Sequence, residues 1–150
     1  MIQVELELQT IFESKITPTQ VAEISFLFAT AGKAYLPAAD TLIKSFSISG
    51  HADQAEYGQD IICAAVTTLA ATCITSLDDL AEITTLQYRL ASGDIMCELP
   101  PLSELSAKQL LLSQVLLRSF CLGLEQIEWS EQAKAGNYIQ VITVNSNRKR

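Results

Sequence analysis

The longest uncharged stretch of the chain, from Ile61 to Leu77, is the feature that most constrains the fold. Apolar side chains recur within it at the spacing of one helix face, at Ile62, Val66, Leu69 and Cys73. The stretch is short for a membrane span and contains several hydroxyl side chains, so it predicts a buried helix and no membrane contact. A buried helix needs a sheet or other helices to cover it.

Alternating apolar and polar residues predict strands on both sides of this helix. The first strand spans about Met1 to Leu8, where Ile2, Val4 and Leu6 alternate with polar side chains. The remaining predicted strands are Leu42–Ile48, Glu82–Leu90, Asp94–Leu99 and Tyr138–Val144, with Ser92-Gly93 as the turn between the third and the fourth.

Three helices are predicted, and two of them are long. The long helices run from Asp60 to about Leu80 and from a cap at Ser103 or Ser106 to about Ile127. The shorter one begins with Thr17 as the N-cap, Pro18 as the first helical residue and Gln20 at the capping-box position. Its apolar face and its end are expected at Val21, Ile24, Phe28, Ala31 and Gly32.

These elements predict an α+β fold, in which a mostly antiparallel sheet packs with two long helices. The chain has 150 residues, of which 49% are apolar and 18% are charged. That length and that composition favour one domain over residues 1–150, with enough apolar surface for a single core.

The net charge of −7 excludes direct nucleic-acid binding, because phosphate recognition needs a basic face. It leaves open whether the acidity attracts a basic partner or only keeps the protein in solution. Glu5 and Glu7 interrupt the start of the chain and argue against a secretory signal. We therefore expect a cytoplasmic protein with reduced thiols.

Cysteine and histidine are the residues with the clearest chemistry. The cysteines are Cys63, Cys73, Cys97 and Cys121, and no two form a CxxC pair, so neither a metal site nor a cofactor is expected. The single histidine, His51, precedes Cys63 by twelve residues across a loop. A neutral imidazole can take a proton from a thiol, so the pair is a candidate for nucleophilic catalysis.

The position of Cys63 on its helix separates two interpretations. A cysteine in an apolar helix is ordinarily a small core residue, which is the expectation for Cys73, Cys97 and Cys121. If Asp60 caps the helix, however, Cys63 lies in the first turn, where unpaired N–H groups favour a thiolate and an oxyanion. Asp60 has an alternative role, which is to orient His51 as the third member of a triad.

Neighbouring residues have paired interpretations too. Thr67 lies one helical turn after Cys63, where its hydroxyl either bonds back to the Cys63 carbonyl or serves the site. Gly50 and Gly58 flank a loop that we expect to be mobile. Within that loop, Tyr57 either contacts substrate or packs over the helix. Asp53 and Glu56 either meet a basic peptide or are solvated.

The segment from Gly50 to Val66 resembles the signature of the ribosomal-processing cysteine protease family, Prp. The family's pattern is GHA, a short loop, G.D, two residues that are Ile or Val, and CAAVS. This chain matches the pattern, at the same spacing, with Gly50-His51-Ala52, Gly58, Asp60 and the run from Ile61 to Val66. The likeness extends over about residues 1–8 and 42–144.

This resemblance implies a cysteine endopeptidase with Cys63 as the nucleophile and His51 as the general base and acid. It implies a narrow substrate, the short N-terminal extension of a large-subunit ribosomal protein, and a homodimer. The chain departs from the pattern at Thr67, where the family has serine, and at about residues 9–41, which form an apparent loop–helix insertion. That serine implies that the hydroxyl matters to the site.

Two other functions remain open. A non-catalytic module could bind the same ribosomal protein or act in ribosome assembly, and it would not need the Cys63 thiol. A thiol-redox protein is less well supported, because no resolving cysteine stands near Cys63 in the sequence.

Overall fold

The computed structural model describes residues 1–25, 27, 40–50, 57–129 and 138–146, with the backbone alone for residues 57–60. In chain order the elements are β1 (Ile2–Thr10), α1 (Pro18–Ile24), β2 (Thr41–Ser49), α2 (Tyr57–Asp79), β3 (Gln87–Ala91), β4 (Asp94–Glu98), α3 (Ala107–Glu128) and β5 (Ile139–Asn145). A short 3-10 turn, Leu102–Glu104, precedes α3.

The strands form one mixed sheet with the order β3-β4-β2-β1-β5. β1 pairs with β5 in parallel, and the other three pairings are antiparallel. The predicted α+β fold with a mostly antiparallel sheet and two long helices is confirmed.

The core lies between one face of the sheet and the two long helices. Alternate residues of β1, namely Ile2, Val4 and Leu6, are buried in it. The ring of Phe46 from β2 stacks on Phe120 of α3, with centroids 4.5 Å apart. By length and composition alone both α2 and α3 could cross a membrane, but their buried faces belong to this core.

The segment before β3 differs from the prediction. We expected a strand from Glu82, but the strand begins only at Gln87. The N–H groups of Ala81 and Ile83 bond back to carbonyls of α2, and Glu82 has a left-handed φ of 57°. Those hydrogen bonds end the helix and occupy the residues that alternation alone assigns to a strand.

The capping motifs of the other two helices match the sequence. Thr17 and Gln20 form the predicted capping box of α1, and Gln20 also donates to the Leu105 carbonyl at 2.7 Å. Ser106, rather than Ser103, caps α3, again through a capping box. Ile24 of the predicted α1 face is buried and Val21 only half-buried, while Phe28, Ala31 and Gly32 lie outside the described residues.

Candidate active site

Cys63 lines a small cavity at one end of the sheet. The cavity has a volume of about 60 Å³, and Cys63 is half-buried beside it. The other lining residues come from four elements, the residue after β2 and the turn between β3 and β4: Ile2, Ile48, Gly50, Val66, Thr67, Ser92, Gly93 and Ile95. The wall of the cavity around the Cys63 thiol therefore combines buried isoleucine side chains with hydroxyl side chains and glycines.

Strand pairing explains why these residues meet. Gln3 at the start of β1 is paired with Ser49 at the end of β2, and Ser49 is paired with Asp94 at the start of β4. The ends of three neighbouring strands thus lie side by side. Gly50 follows β2, and the Ser92-Gly93 turn precedes β4, so both stand at that same end.

Gly50 allows the chain to leave β2 at this point. Its φ is 89°, a left-handed value that side chains rarely adopt. A Cβ at position 50 would stand 2.4 Å from the carbonyl oxygen of Met1. The predicted importance of this glycine therefore has a structural cause in the close approach of two backbones.

The start of α2 differs from the prediction. The helix begins at Tyr57, so Asp60 lies inside it and the predicted N-cap at Asp60 is wrong. Only the first four N–H groups of a helix lack partners within it, so the unpaired N–H groups of α2 precede Ile61. Cys63 is the seventh helical residue, about 9 Å along the axis from the first.

This position weakens the expected electrostatic effect of the helix end on Cys63. The helix dipole acts mainly within the first turn, and Cys63 lies beyond it. The expectation that the first-turn N–H groups surround this thiol is also wrong, because the Cys63 N–H belongs to the second turn.

The three remaining cysteines are buried, as predicted. Cys73, Cys97 and Cys121 all belong to the hydrophobic core. Burial raises the pKa of Cys97 and of Cys121 to about 12, and it raises the pKa of Cys73 still further. These thiols stay protonated at neutral pH, which leaves Cys63 as the accessible one among the four free cysteines.

Thr67 presents its side chain to the cavity rather than to its own helix. It is exposed and lines the cavity with Cys63. The back-bond to a helix carbonyl is made by the next residue instead, since the Thr68 hydroxyl donates to the Ala64 carbonyl at 2.9 Å. Within the described part of the chain the Thr67 hydroxyl has no hydrogen-bond partner and remains available to a ligand.

The other predicted site residues are only partly described. The backbones of Tyr57, Gly58 and Asp60 form the first turn of α2. His51, Asp53 and Glu56 lie outside the described residues. The pairing of His51 with Cys63 therefore stays a prediction from the sequence.

Sequence reasoning missed the contribution of the β3–β4 hairpin. It identified Ser92-Gly93 only as a turn, whereas both residues line the Cys63 cavity. No local signal marks them, because the alignment of β4 beside β2 brings them there. It also missed an open apolar groove of about 670 Å³ between α2 and α3, which begins at Ala64 next to Cys63.

Comparisons with solved structures show the same fold. The crystal structure of SMU.848 from Streptococcus mutans matches with 24% identity and a TM-score of 0.58, over 97% of this chain and 96% of that one. An essential ribosomal processing protease Prp from S. aureus, in complex with a substrate peptide, matches with 15% identity and a TM-score of 0.56. That match covers 96% of this chain and 100% of the other.

The same S. aureus protease in complex with a covalently linked product peptide matches with a TM-score of 0.53, at 15% identity and the same coverage. No curated protein matches the chain. The family model for cysteine protease Prp matches residues 33–140, which include the Cys63 segment and three of the five strands, β2, β3 and β4. The chain belongs to the Prp family of cysteine proteases.

Proposed function

We propose that this protein is an endopeptidase that removes the N-terminal extension of a large-subunit ribosomal protein, with Cys63 as the nucleophile. The observation that carries the assignment is the location of Cys63. Of the four cysteines it is the one that is half-buried rather than buried, it lines the cavity at the end of the sheet, and it stands in the family's motif. The S. aureus relative of the same fold binds a substrate peptide and a covalently linked product peptide.

In the proposed reaction His51 takes the proton of the Cys63 thiol, and the sulfur attacks the carbonyl carbon of the scissile peptide bond. The tetrahedral intermediate collapses as the carbon–nitrogen bond breaks, and His51 gives the proton to the leaving amine. A thioester remains on Cys63. Water, deprotonated by His51, then attacks that thioester, and the proton returns to the thiol as the acid product leaves.

Thr67 and Gly50 are assigned supporting roles by their places around the cavity, and the other supporting residues by their places in the sequence. The Thr67 hydroxyl is available to a hydrogen bond with substrate, and its methyl group narrows the cavity relative to serine. To the Asp60 carboxylate we assign the orientation of His51, which the place of Asp60 inside α2 rather than at its cap favours. Asp53, Glu56 and Tyr57 are proposed to contact the substrate peptide, and Gly50 and Gly58 to shape its loop.

The proposal includes a homodimer acting in the cytoplasm. Four free cysteines suit a reducing compartment. The open groove between α2 and α3 offers an apolar surface for self-association. Sedimentation at several protein concentrations tests the dimer, and a monomer at all of them would refute it.

Cleavage of a defined peptide tests the function. The probe is a synthetic peptide that spans the extension and the first residues of the mature ribosomal protein from the source organism, with products identified by mass. Cys63→Ser and His51→Ala are expected to remove cleavage, whereas Cys97→Ala, which changes a buried thiol, should retain it. Wild-type rates in either site variant would refute the Cys63–His51 dyad, and binding of the peptide by wild type without cleavage would favour the non-catalytic binding module instead.

A matched pair of variants separates the two features of Thr67. Thr67→Val keeps the shape but removes the hydroxyl, and Thr67→Ser keeps the hydroxyl but removes the methyl group. Under the proposed role, Thr67→Val lowers kcat/KM and Thr67→Ser retains most of it. Equal activity of Thr67→Val and wild type would assign Thr67 to packing.

A further inference from the structure

The edge strand β3 has an unpaired side. Within the described residues it pairs with β4 alone and ends the sheet. Natural sheets commonly protect such an edge with lysine, proline, a bulge or a covering segment. The strand Gln87–Ala91 has neither lysine nor proline, its one charged side chain, Arg89, is paired with Asp94, and its pairing with β4 runs without a register shift. Its outer backbone groups are therefore open to another extended chain.

The hairpin turn determines which groups face outward. Ala91 and Asp94 close the two-residue turn Ser92-Gly93, so they form a hydrogen-bonded pair. Hydrogen-bonded and non-hydrogen-bonded pairs alternate along an antiparallel ladder, so Arg89 also points its backbone groups toward β4. The N–H and C=O groups of Tyr88 and Leu90 point away from β4, toward the free side.

The side chains of the same two residues form an uncovered apolar surface. Tyr88 and Leu90 are 55% and 48% exposed. Their partners on β4, Cys97 and Ile95, are 1% and 3% exposed and belong to the core. All four side chains lie on the core face of the sheet, which the helices cover at β4 but leave uncovered at β3.

This edge leads to the cavity beside Cys63. β3 ends at Ala91, and the next two residues, Ser92 and Gly93, line that cavity. A chain added to β3 would lie about 4.8 Å from it, one strand spacing further out. Past the turn, such a chain reaches the sheet end at which the thiol stands.

We propose that the outer edge of β3 binds the substrate as an added strand, with its backbone paired to Tyr88 and Leu90. The apolar surface of those two side chains then selects an extended segment with apolar residues at alternate positions. A protease needs an extended backbone at the cleaved bond, and this edge provides pairing for one in line with the turn that borders the Cys63 cavity. The inference rests on the proposed endopeptidase function, because the occupant is its substrate.

Amide hydrogen exchange measures this pairing residue by residue. The protein is the full-length Cys63→Ala variant, which cannot cleave, and the probe is the synthetic extension-spanning peptide at saturating concentration. We expect exchange at Tyr88 and Leu90 to slow by roughly tenfold or more when the peptide binds. The amides of Arg89 and Ala91, already bonded to β4, serve as internal controls and should change little.

A pair of variants extends the test to catalysis. Leu90→Pro removes one outward N–H without removing a bond to β4, and Leu90→Ala removes the side chain but keeps that N–H. Leu90→Pro is expected to raise KM by about tenfold with kcat little changed, and Leu90→Ala to raise it less. Circular dichroism confirms that both are folded. Unchanged KM in a folded Leu90→Pro variant would overturn the proposal.

Each result distinguishes docking from chemistry. Cleavage by wild type without slowed exchange at Tyr88 and Leu90 overturns the docking proposal and keeps the endopeptidase. Slowed exchange without wild-type cleavage keeps the docking and overturns the endopeptidase. Absence of both binding and cleavage overturns both. Protection of these amides in the free protein that grows with protein concentration would mean that a second copy occupies the edge, against the proposal.

Discussion

Gly50 and Met1 approach each other so closely that a Cβ on residue 50 would lie 2.4 Å from the Met1 carbonyl oxygen. The Met1 oxygen belongs to backbone and a Cβ is fixed rigidly to its own backbone, so neither atom can move away cheaply. This contact ties the start of β1 to the chain that leaves β2. It also brings Gly50 to the rim of the Cys63 cavity.

Gly50→Ala is therefore expected to lower the free energy of unfolding by at least about 2 kcal/mol, from the left-handed φ and the overlap together. Urea denaturation followed by circular dichroism measures the loss. Gly93→Ala is the control, because Gly93 has a comparable φ of 73° within a hairpin turn, and its cost should be smaller. Equal losses in both variants would contradict the contact argument.

Cys63 is expected to be alkylated before the other cysteines at neutral pH. It is half-buried beside a cavity, whereas burial raises the pKa of Cys97 and Cys121 to about 12 and leaves those thiols unreactive. Brief exposure to iodoacetamide followed by peptide mass mapping gives the order of labelling. Faster labelling of Cys97 or Cys121 would show that the described core does not persist in solution.

Stability should fall in alkaline solution for the same reason. An unfolded cysteine has its ordinary pKa near 9.0, and the folded Cys97 has a pKa raised by burial to about 12. The protonated Cys97 thiol therefore contributes fully to the free energy of unfolding below pH 9. This contribution is lost as the pH rises toward 12, because the thiol releases its proton first in the unfolded state. The free energy of unfolding falls by at most about 1.4 kcal/mol per pH unit for each buried thiol.

Urea titrations at several pH values between 7 and 11 measure this dependence. Cys97→Ala is the matched control, since it removes one buried thiol and leaves every lysine and tyrosine in place. We expect the alkaline slope of the variant to be shallower than that of wild type. Identical slopes would mean that other groups cause the alkaline loss.

Gln114 connects α3 to an irregularity in the sheet. Its side chain accepts from the Ile43 N–H at 2.8 Å and donates to the Ile43 carbonyl at 2.9 Å, fully buried. The β1–β2 register shifts at this point, because Glu7 pairs with Ser45 and Leu8 with Ile43. Lys44 is thus an extra residue on β2, and the amide satisfies backbone groups that the bulge releases.

Gln114→Leu should lower the free energy of unfolding by about 2–4 kcal/mol, because it leaves a buried N–H and a buried C=O unpaired. Thermal and urea unfolding give the value. Ser113→Ala, which removes one buried hydroxyl that bonds to Leu110, is the control and should cost about 1 kcal/mol or less. If the two variants lost equal stability, the pairing of Gln114 with Ile43 would contribute nothing specific.

The sequence by itself determined the features that local physics sets. Thr17 and Gln20 cap α1 through hydrogen bonds between residues three apart in the chain. The turn at Ser92-Gly93 needs only a glycine, which adopts a positive φ. The alternation that identified β1 and the burial of three cysteines also follow from short-range patterns. For that reason the fold class could be predicted from residue types and spacing, and the family resemblance rested on one short segment.

The tertiary structure alone decided which of several competing local arrangements the chain adopts, and which segments far apart in the chain meet. The strand expected at Glu82 gives way to the end of α2, because its N–H neighbours find helix carbonyls. The position of Cys63 within α2 could not be predicted. Asp60 is a residue type that often caps helices, but the helix begins three residues before it, at Tyr57. The approach of Ser92-Gly93 to that thiol depends on β4 pairing with β2, a contact that no local pattern encodes.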